Sequence, residues 1–135
     1  VGTEWLALDV GYAVEVAEWR PVRRVPHASD DVFAGLVNVR GELHLAVSLR
    51  PLLGVDGDAP GPSRRLLVAV RDGVRWAVLA DAVHGVHHVP TDEVGGLPAT
   101  AGAGGFARGL VRWNGTTAAV LDADRLFAAL DRRFR

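Results

Sequence analysis

Leu43, Leu45, Val47 and Leu49 alternate with Glu42, His44, Ala46 and Ser48. This period of two marks a half-buried antiparallel strand. Leu36, Val37 and Val39 precede it, and Arg40-Gly41 between the two apolar runs is a tight-turn signal, so residues 33–49 read as a hairpin. Ser48 is placed to cap a short helical turn, and Gly54 to stop it. The same order of signals returns from Gly109 to Phe127. Gly35 aligns with Gly109, Gly41 with Gly115, Val47 with Leu121, Ser48 with Asp122 and Leu52 with Leu126, without a gap. The turn of the second copy is Asn114-Gly115, the strongest short hairpin signal. An offset held over about twenty residues, with turn and helix start in step, indicates an internal duplication.

The rest of the chain fits the same idea. Residues 5–16 read as a hairpin around Asp9-Val10-Gly11, Ala17 to Arg20 as one helical turn, and Val22 to Val25 as a short strand ending at Pro26. Ser29-Asp30-Asp31 is a candidate cap for a turn carrying Val32 and Phe33. Leu66–Val70, Asp72-Gly73 and Val74–Leu79 form a further hairpin. Trp76 aligns with Tyr12, Val83 with Trp19, Val86 with Val22, and Val89-Pro90 with Val25-Pro26. Residues 55–63 and 91–105, rich in Gly, Asp and Pro or in Gly alone, read as loops. The chain closes with a helix capped by Asp122 or Asp124, whose apolar face is Leu126, Phe127, Leu130 and Phe134; Arg132, Arg133 and Arg135 lie where its dipole favours cations. Many short strands between regular turns predict an all-β fold. Two halves, about residues 1–58 and 64–135, are each too small for a core of their own, so the expectation is two small barrels side by side in one domain.

Composition narrows the function. The chain has 135 residues and a formal net charge of −1, without the basic stripe of a nucleic-acid binder. No apolar run approaches the roughly 18 residues of a membrane helix, and no signal peptide stands at the start. With no cysteine there is no disulfide framework, so a cytoplasmic location is the expectation. With His counted as neutral, every positive side chain is Arg, and Lys and Ile are absent, a pattern of codon bias. The absence of an initiating Met points to trimmed ends.

Chemical motifs are weak. On a strand, His84 and His88 would point the same way about 13 Å apart, at ~3.3 Å per residue, with His87 on the other face; one ion cannot be shared by that geometry. Asp56-Gly57-Asp58 lacks the bidentate Glu of a calcium loop. Gly102-Ala103-Gly104-Gly105 is followed by a strand signal rather than a helix, unlike a phosphate loop. Ser29, Ser48 and Ser63 sit at caps or in loops, none of them a nucleophile elbow. Trp113, just before Asn114-Gly115, is placed at a hairpin tip where an exposed Trp would anchor a partner. Arg40, in a turn that asks for positive φ, breaks a local rule in the way functional residues do.

Gly35-Leu-Val-Asn-Val-Arg-Gly41, followed by Leu45-Ala-Val-Ser-Leu-Arg50, resembles the signature of CheW-like domains, where a Gly-(apolar)₂-Asn-Leu-Arg-Gly turn precedes a strand ending in Asp-Leu-Arg. Tyr12-Ala-Val-Glu-Val16, Ala80-Asp-Ala-Val83 and Gly109-Leu-Val-Arg-Trp-Asn-Gly115 fall at that family's other landmarks. The resemblance implies two five-stranded SH3-like β-barrels on a common core, with short helices and a C-terminal helix. It implies a non-catalytic chemotaxis adaptor, without cofactor or metal, that couples chemoreceptor cytoplasmic tips to the regulatory domain of a CheA-type histidine kinase. Val37, Asn38, Val39, Arg40 and Gly41, with Trp19 and Trp113, are then the candidate partner-binding residues. Three departures stand out: Pro21 where the family has an acidic residue paired with the motif's Arg, Ser48 in place of Asp, and a short loop between Pro21 and Phe33. Glu15, Glu18 and Glu42 are alternative partners for Arg40, which could also stay solvated. The competing expectations are a CheW-like regulatory fragment of a larger kinase or fusion protein, and a small-molecule-binding β-barrel with a deep pocket.

Overall fold

In the computed structural model, residues 1, 4–25, 31–55, 61–96 and 103–134 are described. Ser29-Asp30, Asp56-Gly57-Asp58, Pro26, Gly102 and Arg135 lie outside them. The strands are β1 (Leu6–Ala7), β2 (Ala13–Glu18), β3 (Phe33–Val39), β4 (Glu42–Val47), β5 (Arg65–Arg71), β6 (Val74–Ala80), β7 (Ala107–Trp113) and β8 (Thr116–Leu121). Among the described residues the helices are α1 (Arg50–Leu53) and α2 (Ala123–Arg133), beside one-turn 3-10 segments at Val10–Tyr12 and Thr91–Glu93. Three hairpins, β3–β4, β5–β6 and β7–β8, turn at Arg40-Gly41, Asp72-Gly73 and Asn114-Gly115. In each, both turn residues have positive φ (53° and 83°, 51° and 78°, 50° and 75°). That twist matches the right-handed twist of the flanking strands.

The β3–β4 and β7–β8 hairpins are replicas in register. Both carry an irregularity at the same place, between Phe33 and Gly35 and between Ala107 and Gly109. A short segment is bridged to the outside of each: Arg23 to Leu36, and Gly95 to Leu110. The residue after each second strand donates its amide to the residue before the first, Ser48 to Val32 at 2.8 Å and Asp122 to Phe106 at 2.6 Å. These pairings match Val22-Arg23 with Val94-Gly95, so the expected match of Val22 with Val86 is replaced. The match of Trp76 with Tyr12 is replaced as well. Leu45, Ala46 and Val47 of β4 pair in parallel with Trp76, Ala77 and Val78, whereas Ala119 and Val120 of β8 pair in parallel with Leu6 and Ala7. The counterpart of β6 is therefore β1.

Two sheets result, with strand orders β2-β5-β6-β4-β3 and β1-β8-β7. They are open, and the expectation of two closed five-stranded barrels is corrected. Among the described residues, the segment after β2 pairs with the backbone of β3 only through the Arg23–Leu36 bridge. Pro21 beside it has no amide to extend a ladder. The expected hairpin over residues 5–16 is also corrected, because β1 and β2 join different sheets and a 3-10 turn at Val10–Tyr12 separates them. Asp9 caps that turn, its Oδ1 accepting from the Gly11 amide at 2.8 Å. The helical turns expected at 17–20 and at Val32-Phe33 are strand or extended chain instead, since Glu18 pairs with Arg65 and Phe33 with Val47. Local capping signals lost to pairing across the sheet.

Alternation within the strands sorts side chains into three apolar layers. Trp76 and Val78 of β6, Val47 of β4 and Ala69 of β5 face Ala119 and Leu121 of β8 and the helix residues Leu126, Phe127 and Leu130, in a core fed by both sheets. Burying each of those large side chains contributes roughly 1.5–3 kcal/mol. Val37 and Val39 of β3 pack on the far face of the five-stranded sheet under Trp19 and Val22. Val111, Ala118 and Val120 pack on the far face of the three-stranded sheet under Trp5, Val89 and Val94. Helix α2 starts where Asp122 Oδ1 accepts from the Arg125 amide at 3.2 Å. Helix α1 has no such side-chain cap: Leu49 occupies the position expected for Ser48, and Gly54 ends the helix at φ 65°.

Candidate partner-binding surface

The Arg40-Gly41 turn stands on two buried residues and one polar clasp. Val37 and Val39 point into the layer behind β3, so they fix the turn from below. Asn38, between them, points outward, and its Oδ1 accepts from the Gly41 amide at 2.9 Å. Arg40 is thereby thrust into solvent. Its side chain is 79% exposed, and its Nε donates to Glu15 Oε2 on β2 at 2.8 Å. Of the three carboxylates open to it, Glu15 is the partner; Glu42 lies instead 3.8 Å from Arg75. An exposed pair of this kind contributes little to stability, typically below about 1 kcal/mol, but it holds the long side chain in one place.

Beside the turn lies a shallow groove of about 410 Å³, lined by Arg20, Pro21, Arg23, Asn38, Arg40 and Gly41. Local structure explains why these meet. Strand β2 ends at Glu18, and Trp19 folds back onto the apolar layer, with the Arg64 guanidinium 4.6 Å above its ring. Pro21 then turns the chain across the sheet, and Arg23 exchanges both backbone hydrogen bonds with Leu36 at 2.8 Å. Arg20 and Arg23 were not among the residues singled out from sequence. The cluster Arg20, Arg23 and Arg24 around a proline was the available signal, a local charge run that the neutral total conceals.

Trp113 is placed elsewhere, on the three-stranded sheet. It is half-buried rather than free at a hairpin tip. Its ring centroid lies 5.4 Å from Trp5, 5.6 Å from His84 and 4.9 Å from His87. Trp19 and Trp113 therefore belong to two surfaces, one for each sheet. The expected strand through His84–His88 is absent, since Gly85 takes φ 90° and the segment runs as irregular chain. His84 and His87 consequently share one side, both against Trp113, and His87 Nε2 lies 2.8 Å from the His84 carbonyl. No three His, Asp or Glu gather to hold a metal among the described residues.

A separate polar clasp joins Tyr12, Arg71 and Asp124. Tyr12 Oη donates to Asp124 Oδ1 at 2.8 Å, and Arg71 Nε donates to the same oxygen at 3.2 Å. The Tyr12 hydroxyl, with Arg71 second, holds the Asp124 carboxyl below its ordinary value, and the same hydrogen bond raises the Tyr12 phenol. Half-buried Arg50 grips Asp81 through Nη2, at 2.9 Å from both carboxylate oxygens.

A duplicated β module with apolar layers between and outside its two sheets carries three of its fifteen arginines, Arg20, Arg23 and Arg40, around an external groove. The chain belongs to the CheW-like domain family, whose model matches residues 1–131. Among solved structures it is similar to the scaffolding protein TtCheW from Thermoanaerobacter tengcongensis, with a TM-score of 0.77 and 18% identity over 88% of this chain and 77% of that one. At that identity the likeness speaks for the fold. No curated protein matches the sequence. No described helix is long and apolar enough to cross a membrane.

Proposed function

We propose that this chain is a non-catalytic chemotaxis adaptor of the cytoplasm, coupling chemoreceptor cytoplasmic tips to the regulatory domain of a CheA-type histidine kinase. Family membership supports the reading, and so does the scaffolding role named for TtCheW. The observation that carries it is the Arg40-Gly41 turn, exposed and pinned by Glu15 beside an open groove. In this reading the turn and groove are the receptor side. Val37, Asn38 and Val39 set the turn's shape, and Trp19, beneath Arg64, packs on the apolar layer behind it. The kinase side is the free edge of β2, where Val14 and Val16 are 43% and 49% exposed. An uncovered strand edge bearing apolar side chains invites another strand or sheet, and natural proteins rarely leave one unguarded. Trp113 with its histidines offers a further anchor on the opposite sheet. The two halves, about residues 1–58 and 64–135, exchange strands and so act as one domain: β1 completes the sheet of β7–β8, and β5–β6 that of β3–β4.

The test is co-precipitation with an isolated receptor tip and with the kinase regulatory domain. Capture of each alone, and of both in one complex, is the expected result. Binding to neither removes the adaptor reading.

A further inference from the structure

The groove has a chemical bias that its size alone does not explain. Three arginines, Arg20, Arg23 and Arg40, line one depression. Arg20 and Arg23 are exposed, and their side chains make no hydrogen bond or ion pair with any described residue. Arg40 uses only Nε on Glu15, and its terminal nitrogens have no partner among the described residues. An arginine fork offers paired N–H donors that match a planar carboxylate. Glu15 therefore does two things. It neutralises one charge, and it holds the Arg40 fork in place, so less side-chain entropy is lost when a ligand arrives.

We propose that this groove is the seat of an acidic segment of a partner protein, whose carboxylates are taken by Arg20, Arg23 and the terminal nitrogens of Arg40. The inference rests on the receptor-side assignment above and names the chemistry of that partner. A peptide fits better than a nucleic acid for two reasons. Glu15 on β2 is paired to Arg40, so a continuous phosphate backbone along this face would run past its carboxylate. The chain as a whole is near neutral, with no extended basic stripe to release counterions. A short run of spaced carboxylates meets the arginines and avoids Glu15. Pro21 and Gly41 supply a floor without charge on which the peptide's intervening residues lie.

The probe is a dye-labelled peptide of alternating Glu and Ser, titrated into the full chain at low ionic strength and read by fluorescence anisotropy. Its Gln-for-Glu counterpart is the control. The Glu peptide binds saturably, and the Gln peptide binds about tenfold more weakly or worse. The double variant Arg20→Glu, Arg23→Glu weakens the Glu peptide by about tenfold or more, while Arg108→Glu on β7 leaves it unchanged. Both substituted positions are exposed, and an unchanged thermal melt shows that the fold is retained. The proposal is overturned if the wild-type chain shows no saturable binding, if the double variant binds as wild type does, or if a single-stranded oligonucleotide binds more tightly than the Glu peptide. The peptide arm needs no receptor. If the Glu peptide binds but the receptor tip does not, the groove's chemistry stands and the receptor assignment falls.

Discussion

Gly35 and Gly41 sit on one hairpin and are glycine for different reasons. At Gly41, φ is 83° and an added Cβ would meet nothing within 4 Å. Only the backbone conformation objects, so Gly41→Ala costs about 1 kcal/mol. At Gly35, φ is 142° and a Cβ would lie 2.1 Å from the Arg23 carbonyl oxygen, in the bridge that closes the groove's back wall. That contact is backbone, with no side chain to swing aside. Gly35→Ala therefore costs about 3 kcal/mol or more, measured as loss of stability in urea unfolding, and Gly41→Ala a small fraction of it. Equal effects would mean that the Arg23 segment does not lie where the structure puts it. Both glycines were visible in the sequence as the fixed points of the repeat. So was the positive φ of Arg40, because a two-residue turn between alternating strands demands it. The difference between a conformational and a steric glycine was not visible, since it depends on a segment folded over from twelve residues upstream.

At the scale of elements, the Tyr12–Asp124–Arg71 clasp ties the 3-10 turn before β2 to the end of β5 and the first turn of α2. Its pH dependence has two arms. Asp124 titrates below its ordinary 3.8 in the folded protein, so its contribution is present above that value and is lost as pH falls through the lowered one. Tyr12 titrates above its ordinary 10.0, so its contribution is complete below that value and is lost as pH rises through the raised one. Wild type should melt higher than Asp124→Asn between these limits, with the gap closing at both ends. A gap constant with pH would assign the stabilisation to helix packing instead. Sequence patterning found α2 and narrowed its cap to Asp122 or Asp124, because a helix's face and ends are local properties; Asp122 is the cap. It placed helical turns at residues 17–20 and 32–33 wrongly, because a few polar residues imitate a cap and only pairing with β5 and β4 overrides them. The groove was missed for a related reason. Its arginines come from the chain after β2 and from the β3–β4 turn, two stretches that periodicity treats as unrelated.

For the whole molecule, the duplication was legible but the partition into sheets was not. Period-two alternation says which face a residue takes and nothing about which strand lies beside it. The parallel pairings of β1 with β8 and β4 with β6 join strands far apart in sequence, and they decide the architecture. One consequence bears on coupling. The groove opens around the β3–β4 turn, where Arg40 reaches Glu15 of β2, whereas the exposed Val14 and Val16 flank Glu15 and, by the strand's alternation, point away from it. Neither valine lines the groove, so the two pairs of substitutions should act on separate partners. Val14→Glu with Val16→Glu is therefore expected to abolish capture of the kinase regulatory domain and to leave the receptor tip bound. Arg20→Glu with Arg23→Glu is expected to do the reverse. Neither protein alone should assemble the three-component complex in size-exclusion chromatography, and mixing the two should not rescue it, because one molecule has to hold both partners. Rescue on mixing would show that coupling runs through contact between two copies of the chain, and the single-molecule bridge would have to be given up.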